Sequence, residues 1–302
     1  MRFFGFLLFC LWIELSPRYT CAADTGRGTS PPASSPVVYW YRNYDVAAMY
    51  QVLDLALKET ADLYGDTEIL RGPEMTQGRA VLDLMHAGKG VEVINIVPDE
   101  ERERDLRPIY IASDGGLIGL RVCIINRDDQ SRFEHIRSQQ DLIDHGIVFG
   151  QGRHWPDSRI LEANGLQVVR GTQYEKLFAM LRGRRFNCFL RGASEVDYDM
   201  RRYGNNDLMI ERHLLFSYPS ASIFFVNKAN TALAARIELG LRRAILDGSY
   251  SDYFKRVYKT NLETLDFAGR HVIRLNNPLL SDEMLLKTAE ELIFDDGKLE
   301  IY

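Results

Sequence analysis

Long apolar runs are scarce in this sequence. The longest, Phe3–Ile13, has 11 residues, against the ~20 that a helix needs to cross a bilayer. Cysteine is scarce too, with four in 302 residues: Cys10, Cys21, Cys123 and Cys188. There is no CxxC and no Cys/His cluster at zinc-ligand spacing, so neither a disulfide scaffold nor a structural metal underlies the fold. The six histidines never stand four residues apart. A GxSxG elbow, an HExxH helix and a P-loop are all missing. The nearest approach to a dinucleotide fingerprint, Gly150-Gln-Gly-Arg-His-Trp155, lacks its third glycine, so no cofactor is expected. An excess of positive charge is missing as well: Lys+Arg is 37 against Asp+Glu 42, a formal net charge of -5. Such a chain has no broad electrostatic reason to bind a phosphate backbone, which argues against a nucleic-acid partner.

What is present is an ordinary globular mixture, 46% apolar and 26% charged. At ~150 residues per domain the length corresponds to about two domains. Met1-Arg2, the apolar run and Thr20-Cys-Ala-Ala23 together read as a secretory signal peptide over residues 1–23, cut after Ala22 or Ala23. Arg18, Tyr19 and Thr20 spoil a lipobox before Cys21, so the mature chain is expected in the periplasm without a lipid anchor. Residues 24–36 are rich in Gly, Ser and Pro and read as a flexible leader. Cys123 and Cys188 each sit in an apolar, strand-like run. An oxidising compartment permits a bridge between them, but the expectation is two plain core residues.

From Val37 onward the pattern alternates strand and helix. Val37–Tyr41 is a β-type run. Val46, Met49, Leu53, Leu57 and Thr60 recur at helical spacing through Tyr64. A short strand over 67–70, a helix over 76–87 and the β-branched run Val91–Val97 complete a β-α-β-α-β order, which predicts a doubly wound open sheet. The theme repeats with strands at 119–125, 146–149, 167–169 and 186–190. After a strand at 222–226, Leu233, Ile237, Leu241, Ala244 and Ile245 mark one face of a long helix. The segment beyond residue 260 carries no assignable pattern.

In open α/β sheets ligands bind beyond the carboxyl ends of strands. Three such junctions carry polar clusters: Pro98-Asp-Glu-Glu-Arg-Glu-Arg104, Gly150-Gln-Gly-Arg-His-Trp155, and Arg191-Gly-Ala-Ser-Glu195. The acids Asp99, Glu100, Glu101 and Glu103 read as a solvated helix start favoured by the helix dipole. Arg102 is open to either a structural or a ligand role. Trp40, Tyr41 and Tyr44, just after the first strand, are aromatic candidates for a cleft, or else core.

Four pieces in order resemble the extracytoplasmic solute-binding proteins of family 3, the amino-acid receptors of ABC importers with the type II periplasmic-binding fold. They are Glu101-Arg-Glu103 with Leu106-Arg-Pro-Ile109; Gly150-Gln-Gly152 with Trp155-Pro-Asp157; the helix Tyr174–Leu181 ended by Gly183; and Phe225-Val-Asn-Lys228 with Asp247-Gly-Ser-Tyr250. The resemblance covers about residues 37–260. It implies two α/β lobes, each an open and mostly parallel sheet, joined by two crossover hinge strands near Gly119 and Ser222. The first lobe would comprise 37–118 and the return 220–302 with a C-terminal extension; the second would be 119–219.

It further implies a monomeric binding protein, not an enzyme, that captures a small molecule for a membrane permease or sensor. With Arg102 at the position of the family's carboxylate clamp, the candidate cleft residues from the strand ends are Tyr41, Tyr44, Arg102, Gln151, Arg153, Trp155, Arg191 and Glu195. The departures bear on the ligand. Arg153 stands where the family has a threonine. Arg191 stands where it has the aspartate that takes a ligand ammonium, and a guanidinium has no acceptor for that group. Glu195 is an acceptor one turn later. An anionic or sugar-like ligand fits these changes better. Arg191 has two readings, a structural lock with Glu195 or a ligand contact, and the ligand contact is preferred. The rivals are an enzyme on the same fold, with His154 near Glu195, and an interaction module that binds nothing small.

Overall fold

Side-chain alternation along two strands sets the architecture. In the strand around Asn95, Val93 faces one hydrophobic cluster while Ile94 and Ile96 face another. In the strand around Phe224, Phe224 and Val226 face the first cluster, and Ile223 and Phe225 the second. Both strands are therefore covered on two sides, as a central sheet position requires. The computed structural model describes residues 35–281 and the two short strands Phe294–Asp295 and Lys298–Leu299. The expected signal peptide and nearly all of the leader lie outside these residues.

The first segment runs β1 (Val37–Tyr39), α1 (Tyr41–Asp45), α2 (Ala47–Lys58), α3 (Ala61–Tyr64), β2 (Ile69–Arg71), α4 (Gln77–Met85), β3 (Val93–Ile96), α5 (Glu100–Asp105) and β4 (Leu106–Ile109). The second runs β5 (Leu120–Asn126), α6 (Gln139–Asp144), β6 (Val148–Gly152), α7 (Pro156–Ala163), β7 (Gln167–Gly171), α8 (Tyr174–Arg182), β8 (Cys188–Gly192), α9 (Val196–Tyr203), β9 (Leu208–Ile210) and β10 (Leu214–Ser217). The return comprises β11 (Ile223–Asn227), α10 (Thr231–Asp247), α11 (Ser249–Leu265) and β12 (His271–Arg274), with β13 and β14 the final two strands.

Two sheets result. The first has the order β2-β1-β3-β11-β4, and the second β12-β10-β5-β8-β6-β7 with β9 paired to β5. Each is parallel in part: β1, β2 and β3 in the first, β6, β7 and β8 in the second. The strands next to the lobe crossings, β11 and β5, run antiparallel to their neighbours. The chain thus forms two α/β lobes. It passes between the sheets three times, because β12 pairs with β10 at the edge of the second sheet. The C-terminal extension, unassigned from sequence, is where that third passage comes from.

The helix expected over 46–64 is broken at Thr60. This buried residue turns its hydroxyl back to the carbonyls of Ala56 (3.2 Å) and Leu57 (3.0 Å) and accepts from Arg236 Nε (3.1 Å). A side chain competing for main-chain partners ends a helix in this way. Cys123 and Cys188 are joined in a disulfide, with Cα atoms 5.0 Å apart, which corrects the expectation of two plain core cysteines. Their runs become β5 and β8, antiparallel with Cys123 opposite Leu190. The two thiols are therefore diagonal neighbours on one face, where both belong to the same buried cluster.

The lobes meet at residues 112–119 and 218–222. The passages touch each other: Ser113 donates from its N–H and its Oγ to the Ser222 carbonyl (2.8 and 2.9 Å), and the Tyr218 N–H donates to Gly119 O (3.1 Å). A Cβ at Gly119 would come within 2.8 Å of the Tyr218 carbonyl oxygen, so only glycine permits this approach. Asp114 caps the first passage. Its carboxylate accepts from the Gly116 and Ile118 N–H groups (3.3 and 2.9 Å) and from Ser194 Oγ of the second lobe (2.7 Å). Burial pushes its carboxyl up to about 6, against the pull of these bonds.

Replacing both cysteines by alanine is expected to lower the free energy of unfolding by about 2–4 kcal/mol, the range for a bridge closing a long loop. Urea titration of the oxidised protein and the double variant measures it, and coincident midpoints would count against the bridge. Asp114 makes a second prediction. Its folded-state pKa lies above the ordinary value, so its contribution to stability is complete in acid and disappears as pH rises through about 6. Between pH 5 and 7 the wild type should lose about 1 kcal/mol through this group. The slope should be absent in Asp114→Asn; an equal slope in both proteins would show that the titration belongs elsewhere.

Candidate functional site

Strand ends from both sheets open onto one cavity of about 680 Å³ between the lobes. From the first lobe it is walled by Tyr41, Asn95 and Arg102, and from the second by Arg121, Trp155 and Arg191, among others. A second chamber of about 630 Å³ shares Arg102, Arg153, His154 and Trp155 with it.

Arg102 follows from the cap of α5. Asp99 is the N-cap, its Oδ1 accepting from the Arg102 N–H at 3.0 Å. It is not the solvated acid expected from the sequence: it is buried and pairs with Arg159 Nη2 at 2.6 Å. Glu103 is half-buried and takes the hydroxyl of Ser281 (2.8 Å), which leaves Glu100 and Glu101 as the exposed members of that run. The Arg102 side chain is buried and donates to the Val97 carbonyl, to Gln77 Oε1 (3.1 Å) and to the His154 carbonyl of the opposite lobe (2.7 Å). Burial lowers its pKa, with Asp99 opposing. Its donors are directed at protein acceptors, and it links the lobes.

Arg191 closes β8. Its Nε donates to Asp199 Oδ2 at 2.5 Å and its Nη2 stands 3.1 Å from Glu195 Oε2. Trp155, Tyr174 and Phe189 surround the guanidinium at 4.7, 5.3 and 5.4 Å from their ring centres. Burial works against its charge, yet Asp199 and Glu195 hold its pKa well above the usual value. Tyr174 donates its hydroxyl to the other Asp199 oxygen. This corrects the preferred reading of Arg191 as a free ligand contact: it is an internal ion pair whose main partner is Asp199. Glu195 is the second partner, and burial raises its pKa with Arg191 opposing.

The other candidates separate. Tyr41 lines the cavity with Arg42 and Arg71 against its ring at 5.5 and 5.2 Å. Tyr44 does not line it; α1 carries Tyr44 against Tyr50 of α2, centroids 5.1 Å apart. Gln151 is fully buried behind the wall, its Nε2 donating to the Leu190 carbonyl (3.0 Å). Trp155 lines both chambers and stacks on Phe189 at 6.1 Å. Arg153 is exposed at the junction of the two chambers and makes no ion pair among the described residues. Of the enzyme rival's pair, Glu195 is turned to Arg191, while the His154 ring packs beside Gly78, about 3.0 Å from where a Cβ would stand.

Three cavity groups escaped the sequence reading. Arg121 of β5 and Asp157 of α7 form a buried pair at 2.7 Å, with the Tyr218 hydroxyl donating to Asp157. Arg42 pairs with Glu175 across the lobes and lies 4.0 Å from the Tyr174 ring centre. Asp199 is the third. An arginine inside the apolar run Leu120–Asn126 was the available signal for Arg121. Arg191→Met is expected to lower the free energy of unfolding by about 3 kcal/mol, because it strands a buried carboxylate, and Asp199→Asn by a similar amount. The double variant should lose less than the sum. Urea unfolding of the three decides it, and a single variant as stable as wild type would refute the lock.

No family model matches the chain, and no curated protein matches it. Solved structures do. An arginine-specific periplasmic binding protein of Salmonella typhimurium aligns with a TM-score of 0.53 at 15% identity over 75% of this chain and 100% of its own. An amino-acid ABC transporter substrate-binding protein of Streptococcus pneumoniae, bound to L-arginine, gives 0.55 at 13% over 75% and 94%. An ancestral arginine-binding protein bound to glutamine gives 0.57 at 14% over 74% and 98%. At these identities the likeness is one of architecture: the chain has the two-lobed fold of periplasmic amino-acid-binding proteins.

Proposed function

We propose that this protein is an exported solute receptor that captures a small polar ligand carrying negative charge in the interlobe cavity. The observation that carries this reading is the charge balance of the wall. Each of its acids faces an arginine: Asp45 and Glu74 face Arg71, Asp157 faces Arg121, Glu175 faces Arg42, and Glu195 and Asp199 face Arg191. Arg153 and Arg202 line the same cavity with no acidic partner among the described residues. Unspent guanidinium groups in a cleft attract carboxylates, which they bind in a forked geometry.

The lobes are residues 37–118 with the return 220–265, and 119–219 joined by β12, which the expected boundary at 220–302 places in the first lobe. They close about the two short passages and the third connection that leads into β12, as hinge systems do. The disulfide agrees with an oxidising compartment, and the N-terminal signal with export to the periplasm. Among the described residues no helix is long and apolar enough to cross a membrane. A permease or sensor would read the closed form. The neighbours' ligands, arginine and glutamine, make amino acids natural members of the test set.

Thermal unfolding with L-arginine, L-glutamine, L-glutamate, succinate, citrate and glucose tests the proposal. A bound ligand at about 100 times its Kd stabilises by ~2.7 kcal/mol, a rise in Tm of roughly 4–5 °C for a chain this size. The expected pattern is a rise with one or more of the anionic compounds, diminished in Arg153→Gln. A response confined to arginine or glucose, or to none, would overturn it.

A further inference from the structure

Arg121 is 1% exposed and lines the cavity at its hinge end. It directly follows the first residue of β5, and its guanidinium lies 5.1 Å from the ring centre of Tyr218 in the second passage. Asp157 neutralises it, with Nη2 2.7 Å from Oδ1. That contact is out of line for a hydrogen bond, and neither Nε nor Nη2 has a hydrogen-bond acceptor among the described residues. Buried N–H groups are almost always bonded, and those that are not call for an explanation. Arginine cannot escape by losing its proton, and Nε with Nη2 form one edge of the planar group, the edge that grips a carboxylate with two parallel bonds.

Asn95 faces the same cavity from the first lobe. Its Oδ1 accepts from Ser113 and Ser222, one residue in each passage, while its Nδ2 has no partner. The hinge end of the cavity thus presents buried donors from both lobes. Every unpartnered buried side-chain atom of the wall is a donor: Asn95 Nδ2, Arg121 Nε and Arg121 Nη2.

We propose that the unbonded, buried Nε–Nη2 edge of Arg121, together with the Asn95 amide, is a carboxylate subsite at the hinge end of the cavity, reached when the lobes part. A carboxylate there accepts from both lobes at the point where they join, so its binding favours the closed arrangement. The proposal rests on the solute-receptor reading and gives that ligand an orientation: one carboxylate at the hinge floor, with further negative charge toward Arg153.

The test uses the full mature chain labelled with 15N-arginine and follows the Nε–H cross-peaks by NMR, Arg121 being assigned from its loss in Arg121→Lys. The probe is sodium formate, the smallest carboxylate, with formamide and sodium chloride at matched ionic strength as controls. The Arg121 cross-peak is expected to move saturably with formate and to stay put with either control. The variant Arg121→Met/Asp157→Asn removes the ion pair as a unit and should weaken formate binding at least tenfold, read by tryptophan fluorescence, with its melting curve reporting that it folds. A stationary cross-peak, an equal response to chloride, or wild-type formate affinity in the folded double variant would overturn the subsite. Should the double variant fail to fold, the wild-type cross-peak alone decides. If the subsite answers formate while no solute raises the melting temperature, the receptor reading fails and the subsite stands; solute binding with a silent Arg121 gives the converse.

Discussion

A guanidinium taken out of water must be surrounded by acceptors or opposed by a carboxylate, and this constraint shapes the space between the lobes. Arg102, Arg121, Arg191 and Arg236 are each no more than 6% exposed. They meet the requirement in different ways. Arg236 relies on neutral oxygens, the Thr60 and Thr67 hydroxyls and the Leu57 and Gly65 carbonyls, and so fastens α10 to the end of α2. Arg191 takes two carboxylates and thereby fixes where α9 starts relative to β8. Arg102 takes two main-chain carbonyls, one from each lobe. Removing one partner from such a group strands the other, which is why each is a larger constraint than its pairwise attraction implies.

The links that span the cleft differ from the links that build its walls. Arg42–Glu175 and Arg159–Asp99 cross between lobes, and each has one half-exposed partner. Such pairs contribute about 0–1 kcal/mol apiece. The wall pairs Arg121–Asp157 and Arg191–Asp199 lie within the second lobe and are nearly dry. The dry charge pairs therefore lie inside one lobe, and each ion pair across the cleft keeps one side chain in water. A ligand that contributes a few kcal/mol of differential affinity is enough to dominate such a boundary.

Much of the frame was legible because periodicity survives in the apolar residues. Of the face expected on α10, Ile237, Leu241 and Ala244 are buried, Leu233 is half-buried against the core and Ile245, expected with them, is exposed; the run Val91–Val97 contains β3 with both faces covered. What was not legible depends on partners distant in sequence. Cys123 and Cys188 are 65 residues apart, and only the pairing of β5 with β8 makes a bridge possible. Asp199 belongs to α9, a polar helix in which Val196 and Asp199 alone are buried, so no apolar stripe marked it. The local i,i+4 partner Glu195 was visible; the stronger partner one turn further on was not. Tyr44 was misplaced because a five-residue helix, too short to show a period, intervenes after β1.

The resemblance placed an aspartate where Arg191 stands, and the structure shows what that exchange entails. An arginine at the end of a buried strand needs an acid, and α9 supplies Asp199 as well as Glu195. The charge at this part of the wall is thereby spent inside the protein. Arg153, where the two chambers meet, is not spent in this way, and Arg121, though paired with Asp157, keeps Nε and Nη2 without a hydrogen bond among the described residues. Both are cations. The unpartnered buried side-chain atoms of the cavity wall are thus donors, where the resemblance leads to the expectation of an acceptor. That change needs no alteration of either sheet, because every residue involved sits at a strand end or in the first turns that follow.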